Sequence, residues 1–334
     1  MSRLCSTTLI ATWLLLASVA ASSADPATYD RCLIDSLKRA AGNETATEIR
    51  SRCASPAPGT NPPDTAPAAP GRSPIDARIA AERQSLERSY SLTPYRPNFL
   101  LATHNANPNP LLSEDFVDGA IDNEEAILQI SVKFPMWHQM FGSNNDLMFA
   151  YTSRSWFQAF NERLSKPFRE TNYEPEVFLR HFSNTRMPLG ARILGWDLGY
   201  NHQSNGRSRP LSRSWDRIFG QLRLELTPNM SMLLRAWYRL PESESEDDNP
   251  KMHRYLGYGD IRGIWAPNRN TFTAMIRPGT DKGALELTWS YPINNHIRFY
   301  AQYFNGYGES LIDYDHRVER IGIGFTINDY LHAR

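Results

Sequence analysis

The residues whose types could do chemistry gather in one stretch, His202-Gln203-Ser204-Asn205-Gly206, and in an acid twelve positions beyond Ser204, Asp216. Along 194–204 the residues Leu194, Trp196, Leu198, Tyr200, His202 and Ser204 share one parity, and Asp197, Gly199, Asn201 and Gln203 share the other. Successive side chains of a strand point to opposite faces, so His202 and Ser204 lie on the apolar face. In the next segment Ser212, Ser214, Asp216, Ile218, Leu222, Leu224 and Leu226 share a parity, which puts Asp216 on the apolar side as well. A hairpin closing around Arg209-Pro210 sets Ser204 opposite Ser214 and His202 opposite Asp216. Opposed Cβ atoms of an antiparallel pair are about 4.5–5.5 Å apart, within reach of an imidazole and a carboxylate. The chemistry is then nucleophilic: Ser204 attacks an ester carbonyl, His202 takes its proton and returns it to the leaving alcohol, and Asp216 fixes the imidazole tautomer. The same residues also describe a polar rim where a strand leaves a membrane, since His-x-Ser followed by an acid is a common pattern.

The elements that would position these groups are strands. Leu222, Leu224 and Leu226 alternate with Arg223 and Glu225; Leu285, Leu287 and Trp289 alternate with Glu286, Thr288 and Ser290; Ile297, Phe299, Ala301 and Tyr303 alternate with Arg298, Tyr300 and Gln302. Period-two patterning predicts strands with one apolar and one polar face. Tight connectors (Thr227-Pro228-Asn229 and Pro292-Ile293-Asn294-Asn295) alternate with longer loops near 205–211, 241–251 and 305–317. Short turns on one side and long loops on the other predict an all-β outer-membrane barrel of about twelve antiparallel strands, both ends in the periplasm. Tyr291, Trp196, Trp215 and Trp237, near strand ends, are the expected aromatic girdle, and Arg223, Glu225, Arg235 and Arg298 the expected inward plug. A large soluble β-sandwich or barrel would alternate in the same way, against a core instead of lipid.

The rest of the chain reads as smaller pieces. An apolar run from Leu9 to Ala20 follows Arg3 and ends in small residues, the pattern of a secretory signal peptide over 1–24, cleaved after Ala21 or Ala24. Residues 25–53 predict a small helical segment, in which Cys32 and Cys53 are expected to form a disulfide in an oxidising periplasm; independent thiols are the alternative. Residues 54–96 are a Pro/Ala-rich linker and a polar, helical lead-in, and 97–334 the barrel. Lys plus Arg equals Asp plus Glu, 36 against 36, so no net field favours nucleic acid. A mean hydropathy of −0.51 excludes a bundle of membrane helices.

Longer motifs narrow the reading. Asn201-His202-Gln203-Ser204-Asn205-Gly206-Arg207-Ser208, Ser212-Arg213-Ser214-Trp215, Pro167-Phe168-Arg169-Glu170-Thr171-Asn172-Tyr173-Glu174-Pro175, Asp247-Asp248-Asn249-Pro250, and Gly306-Tyr307-Gly308-Glu309-Ser310-Leu311-Ile312-Asp313-Tyr314 follow one another in order. Over about 97–330 the chain resembles the outer-membrane phospholipase A family. That resemblance implies calcium-dependent hydrolysis of acyl esters of phospholipids and lysophospholipids, at either acyl position, by a homodimer. It implies Ser204 as nucleophile, His202 as general base and Asp216 as third member, where the best-known form has Asn. It implies an oxyanion hole from the amide of Gly206 and a calcium-bound water. Calcium would be held by Ser212 through its hydroxyl, by the backbone carbonyl of Arg207, and by Ser165 of the partner subunit; a second site maps to Asp248 in an acidic loop. Two departures stand out: Arg209 where the best-known form has an acid, and Ser153 where family members place an interface Gln. The competing expectation is a non-enzymatic pore or adhesion barrel.

Overall fold

Alternating segments become strands because each can give its apolar side chains to one surface and its polar ones to another. In the computed structural model, which describes residues 34–36, 38, 73–86, 91–109, 121–142, 144–162 and 168–331, the strands are β1 (Thr93–Pro94), β2 (Asn98–Asn105), β3 (Glu124–Trp137), β4 (Asn145–Phe157), β5 (Phe168–Arg186), β6 (Arg192–Ser204), β7 (Ser214–Thr227), β8 (Met230–Arg239), β9 (Gly259–Trp265), β10 (Thr271–Pro278), β11 (Gly283–Pro292), β12 (Arg298–Tyr307) and β13 (Arg317–Asn328). Helix α1 (Pro74–Leu86) precedes them and the one-turn α2 (His253–Leu256) interrupts the loop after β8. The chain divides by its internal contacts at Asp64/Thr65, and all the strands lie in the second unit. In the first unit residues 34–36 and 38 are helical. Cys32, Cys53, the leader and most of the linker lie outside the described residues.

Each strand pairs antiparallel with the next, and β13 pairs with β2, so β2–β13 close a twelve-stranded barrel, as the patterning predicts. β1 extends β2 along the same edge of β3, with Thr93 opposite Lys133 and Phe99 opposite Gln129. The connections after β2, β4, β6, β8, β10 and β12 leave and re-enter the barrel at one rim. The opposite rim carries 138–144, 187–191, 228–229, 266–270 and 293–297, together with both ends of the barrel.

The distribution of polarity is inside-out for a water-soluble protein. Leu100, Ile130, Leu198, Ile261, Ile321 and Phe325 are exposed on the outer wall, while Glu125, Arg169, Glu176, Arg180, Asp197 and Arg320 are buried in the lumen. Charges can sit there because they are paired: Glu125 with Arg169 at 2.6 Å and Arg320 at 2.7 Å, Asp197 with Arg180 at 2.8 Å and Arg223 at 2.7 Å. Removing one member of such a pair leaves an uncompensated buried charge, a loss of about 3–5 kcal/mol. Closure leaves no unpaired sheet edge, and the apolar outer band suits hydrocarbon. Among the described residues no helix is long and apolar enough to cross a membrane.

Two of the four expected girdle residues are misplaced. Trp215 and Trp237 are buried inside the barrel, edge to face with centroids 6.3 Å apart. Their position near strand ends suggested a girdle, but Trp215 has the opposite parity to Asp216 and points inward. Trp137, Trp265 and Tyr291 at one rim, and Tyr173, Tyr238 and Tyr258 at the other, are exposed where an interface would place them. The four predicted inward residues, Arg223, Glu225, Arg235 and Arg298, do line the lumen.

Helix α1 also lies within the barrel. Its Glu82 pairs with Lys133 at 3.0 Å and with Arg180, Asp76 pairs with Arg192, and Arg78 donates to the carbonyls of Pro94 at 3.0 Å and Asp329 at 3.2 Å. Ile75 packs with Leu194, Ile264 and Leu331, and Leu86 with Phe178, Phe182 and Phe219.

Candidate active site

Strands β6 and β7 build the site. Their register places His202 opposite Asp216, Ser204 opposite Ser214 and Tyr200 opposite Ile218, as parity predicts. The inward neighbours hold the two strands in place. Asn201 donates to Glu174 at 3.0 Å and Glu176 at 2.8 Å, and the indole Nε1 of Trp215 donates to Gln203 at 2.9 Å. Arg217 stacks on Trp215 with its guanidinium carbon 3.8 Å from the ring centre and pairs with Glu174 at 3.1 Å. The lumen is thus the rigid support for what the outer wall displays.

On that wall His202 Nδ1 lies 2.8 Å from Asp216 Oδ1, with the side chains 37% and 34% exposed. An ionised carboxylate can only accept, so the hydrogen of this bond lies on Nδ1, and in the neutral imidazole the lone pair is then on Nε2. Ser204 stands two residues along the same strand, on the same face. Tyr200, two residues in the other direction, donates its hydroxyl to the same Asp216 Oδ1. Ser204 belongs to a row running across the outer wall from Ile130 through Ser153 and Tyr173 to Ser204 and Ser214.

The loop 205–213 is knitted by Asn205, which is buried. Its Oδ1 accepts the amides of Arg213 at 3.0 Å and Arg207 at 3.3 Å, and its Nδ2 donates to the carbonyl of Leu211 at 2.9 Å. Gly206 follows at φ +65°, a left-handed conformation in which glycine carries no Cβ penalty, with the Tyr173 ring 3.4 Å from where a Cβ would be. Its amide therefore leaves the strand just past Ser204 on an exposed turn.

The candidate metal residues are only partly assembled. Ser212 donates its hydroxyl to Asp248 Oδ2, and Arg209 Nε donates to Asp248 Oδ1 at 2.8 Å. Arg207 extends its guanidinium to the carbonyl of Arg169, with Glu170 at 3.4 Å. Ser165 lies outside the described residues. A hydroxyl that donates keeps both lone pairs, and hydroxyl plus backbone carbonyl oxygens are hard donors suited to calcium, so Ser212 and Arg207 fit that ion. Asp248 fits less well, because each of its oxygens already accepts a bond, one from a cation. Ser212's hydroxyl bond and Arg209's charge hold the Asp248 carboxyl below its ordinary range. A depressed carboxyl contributes its tie above its unfolded pKa and loses it as pH falls through the folded value, so the Arg209–Asp248 tie is intact at neutral pH. Among the described residues no cluster of three His, Cys, Asp or Glu is placed to hold a metal.

Three residues escaped the sequence reading. Tyr200 counted only as a member of the apolar face. Asn205 and Asn249 were passed over, although Asn249 is fully buried and its Oδ1 accepts the Ser214 amide at 3.0 Å, tying the loop 240–258 to the start of β7. The signals available were that both Asn residues sit inside the quoted motifs.

Comparison with known proteins places this geometry. Residues 75–327 match the family model described as phospholipase A1. The chain is 38% identical over 255 residues to phospholipase A1 of Escherichia coli, covering 75% of this chain and 86% of that one. It is 34% identical over 271 residues to a putative phospholipase A1 of Neisseria meningitidis, covering 77% and 70%. Among solved structures it is similar to an active-site mutant of outer membrane phospholipase A from E. coli, at 36% identity and a TM-score of 0.71, covering 76% of this chain and 98% of that one. It is similar to the same degree, at 35% identity and a TM-score of 0.70, covering 76% and 98%, to a Salmonella typhi outer membrane phospholipase described as a dimer with bound calcium.

Proposed function

The chain belongs to the phospholipase A1 family, and from that premise we propose that it hydrolyses acyl esters of phospholipids and lysophospholipids in the bacterial outer membrane, with its N-terminal segment in the periplasm. The observation that carries this reading is the His202–Asp216 pair beside Ser204 on the outer wall, at 2.8 Å. A polar constellation facing hydrocarbon is costly and is retained for function.

Ser204 is the nucleophile. His202 Nε2 takes its proton as it attacks the ester carbonyl, and Asp216 stabilises the imidazolium that forms. The amide of Gly206 donates to the developing oxyanion as a preorganised donor. His202 then returns the proton to the glycerol oxygen as the acyl-serine forms, and activates a water for its hydrolysis. Ser212 and the Arg207 carbonyl would hold calcium, together with Ser165 of the partner subunit. The ion, when bound, supplies positive charge near the oxyanion. Ser153, in the same outer row as Ser204, would face a homodimer partner across the wall.

Purified protein with dipalmitoyl phosphatidylcholine in mixed micelles tests the reading. Fatty acid release is expected with millimolar calcium and its loss, by at least tenfold, with a calcium chelator; undiminished turnover in chelator removes the metal role. Arg209→Ala is expected to tighten calcium binding about fivefold by direct titration. One positive charge several ångströms from a divalent ion at a wet rim opposes it by about 1 kcal/mol. Unchanged binding would separate Arg209 from the metal. The alternative of an open pore runs against the ion pairs and the helix that fill the lumen.

A further inference from the structure

Tyr200 has a role that the triad does not need in general but that this wall requires. Its hydroxyl donates to Asp216 Oδ1, the same oxygen that lies 2.8 Å from His202 Nδ1. Two donors from one strand converge on one acceptor atom of the next. Tyr200 is 40% exposed and shares the outer face with His202, so it stands between the site and the hydrocarbon-facing Leu198, 53% exposed.

A carboxylate in this position faces one difficulty: nothing in a period-two strand selects which of its oxygens meets the imidazole. The groups around it offer little other help. Tyr173 of β5 lies beside Ser204, Tyr238 of β8 is opposite Ile218, and Leu240 gives Asp216 only a backbone bond at 2.8 Å. Glu242, just past β8, bears the same sign as Asp216 and is engaged by Arg239 at 3.5 Å. Tyr200 is the phenol whose hydroxyl reaches the carboxylate.

We propose that Tyr200 is a positioning residue for hydrolysis, holding one oxygen of residue 216 against His202. The idea rests on the triad reading above. It predicts that an amide at 216 would also serve: two donors aimed at one atom demand an acceptor there, so an amide would present its oxygen and turn its nitrogen away.

The test is Tyr200→Phe in three backgrounds, with turnover of phosphatidylcholine in mixed micelles as the readout. In the parent, kcat is expected to fall about fivefold with little change in KM, as for loss of a hydrogen bond to a charged group. In a D216N background the same change is expected to cost at least tenfold, because the amide is free to turn its nitrogen toward His202 and force the wrong tautomer. In a D216A background Y200F is expected to change nothing, since there is no oxygen to hold. Equal loss in all backgrounds would mean that the hydroxyl serves packing alone, and no loss in the parent would also overturn the proposal. Ser204→Ala sets the floor. Activity persisting in it overturns the triad reading itself, whereas a floor with additive Y200F effects overturns only the role of Tyr200. Where D216A reaches that floor, the parent and D216N decide.

Discussion

Ser204→Ala is expected to lower phospholipid hydrolysis by at least about a thousandfold while leaving the barrel folded and inserted. Removing a nucleophile that acts as a unit with its base forfeits nearly all the chemistry of that unit, and what remains comes from binding and the oxyanion donor. The fold should not notice. Ser204 is the last residue of β6, half-exposed on the outer wall, and its backbone pairing with Ser214 and Tyr173 does not depend on the hydroxyl. The measurement is fatty acid release alongside heat-modified gel mobility, which reports barrel integrity. Normal turnover by a correctly folded variant would end the assignment of Ser204, and loss of both signals would mark a folding defect. His202→Ala is expected to match it, because an unactivated hydroxyl is a poor nucleophile.

The second large effect separates charge from geometry at position 216. Asp216→Ala is expected to cost about a hundredfold, since it leaves Nδ1 without an acceptor and frees the imidazole to turn. Asp216→Asn is expected to stay within about tenfold of the parent. In a buried protease triad the corresponding change can be far more damaging, because nothing prevents the amide from presenting its nitrogen. Here the Tyr200 hydroxyl and His202 Nδ1 both require an acceptor at the same point. Comparing kcat for the two variants checks this, and equal loss in both would show that the carboxylate charge is itself indispensable.

The barrel and the His202–Asp216 pair were legible because both depend on a local rule. Parity along 196–204 and 212–226, with one hairpin closure, is enough to bring His202 and Asp216 together, and the same alternation assigns Arg223, Glu225, Arg235 and Arg298 to the lumen. It fails at Leu194, expected on the outer face but buried in the lumen with Ile75 because the β6–β7 register shifts between Ile193 and Gly195. The rule misled at Trp215 and Trp237 when position along a strand was weighed above parity. What parity cannot reach are contacts between distant segments. The Arg209–Asp248 tie joins residues 39 apart in sequence. Helix α1 was legible as a helical lead-in but not as a lumen element. Its buried side carries Arg78 as well as Ile75 and Leu86, with Glu82 nearly buried, so it shows no apolar stripe. Its complement is a set of charges on β3, β5 and β6 that only the closed barrel brings to one place. Tyr200 was hidden for a different reason: an aromatic on an apolar face reads as packing until a cross-strand acceptor is known.

A barrel whose lumen holds ion pairs and a helix, and whose candidate reactive groups face outward, does not bring substrate to the site through its interior. Substrate arrives, and fatty acid and lysolipid depart, by lateral diffusion in the bilayer. The natural measure of saturation is therefore the mole fraction of phospholipid in the surface, not its concentration in solution. Diluting substrate with an inert detergent at constant bulk amount should slow the enzyme, while diluting the whole suspension with buffer should leave the rate per bound molecule unchanged. Lipid packing then becomes a control on activity: an outer leaflet from which phospholipid is excluded keeps the enzyme starved, and any breach in that leaflet feeds it.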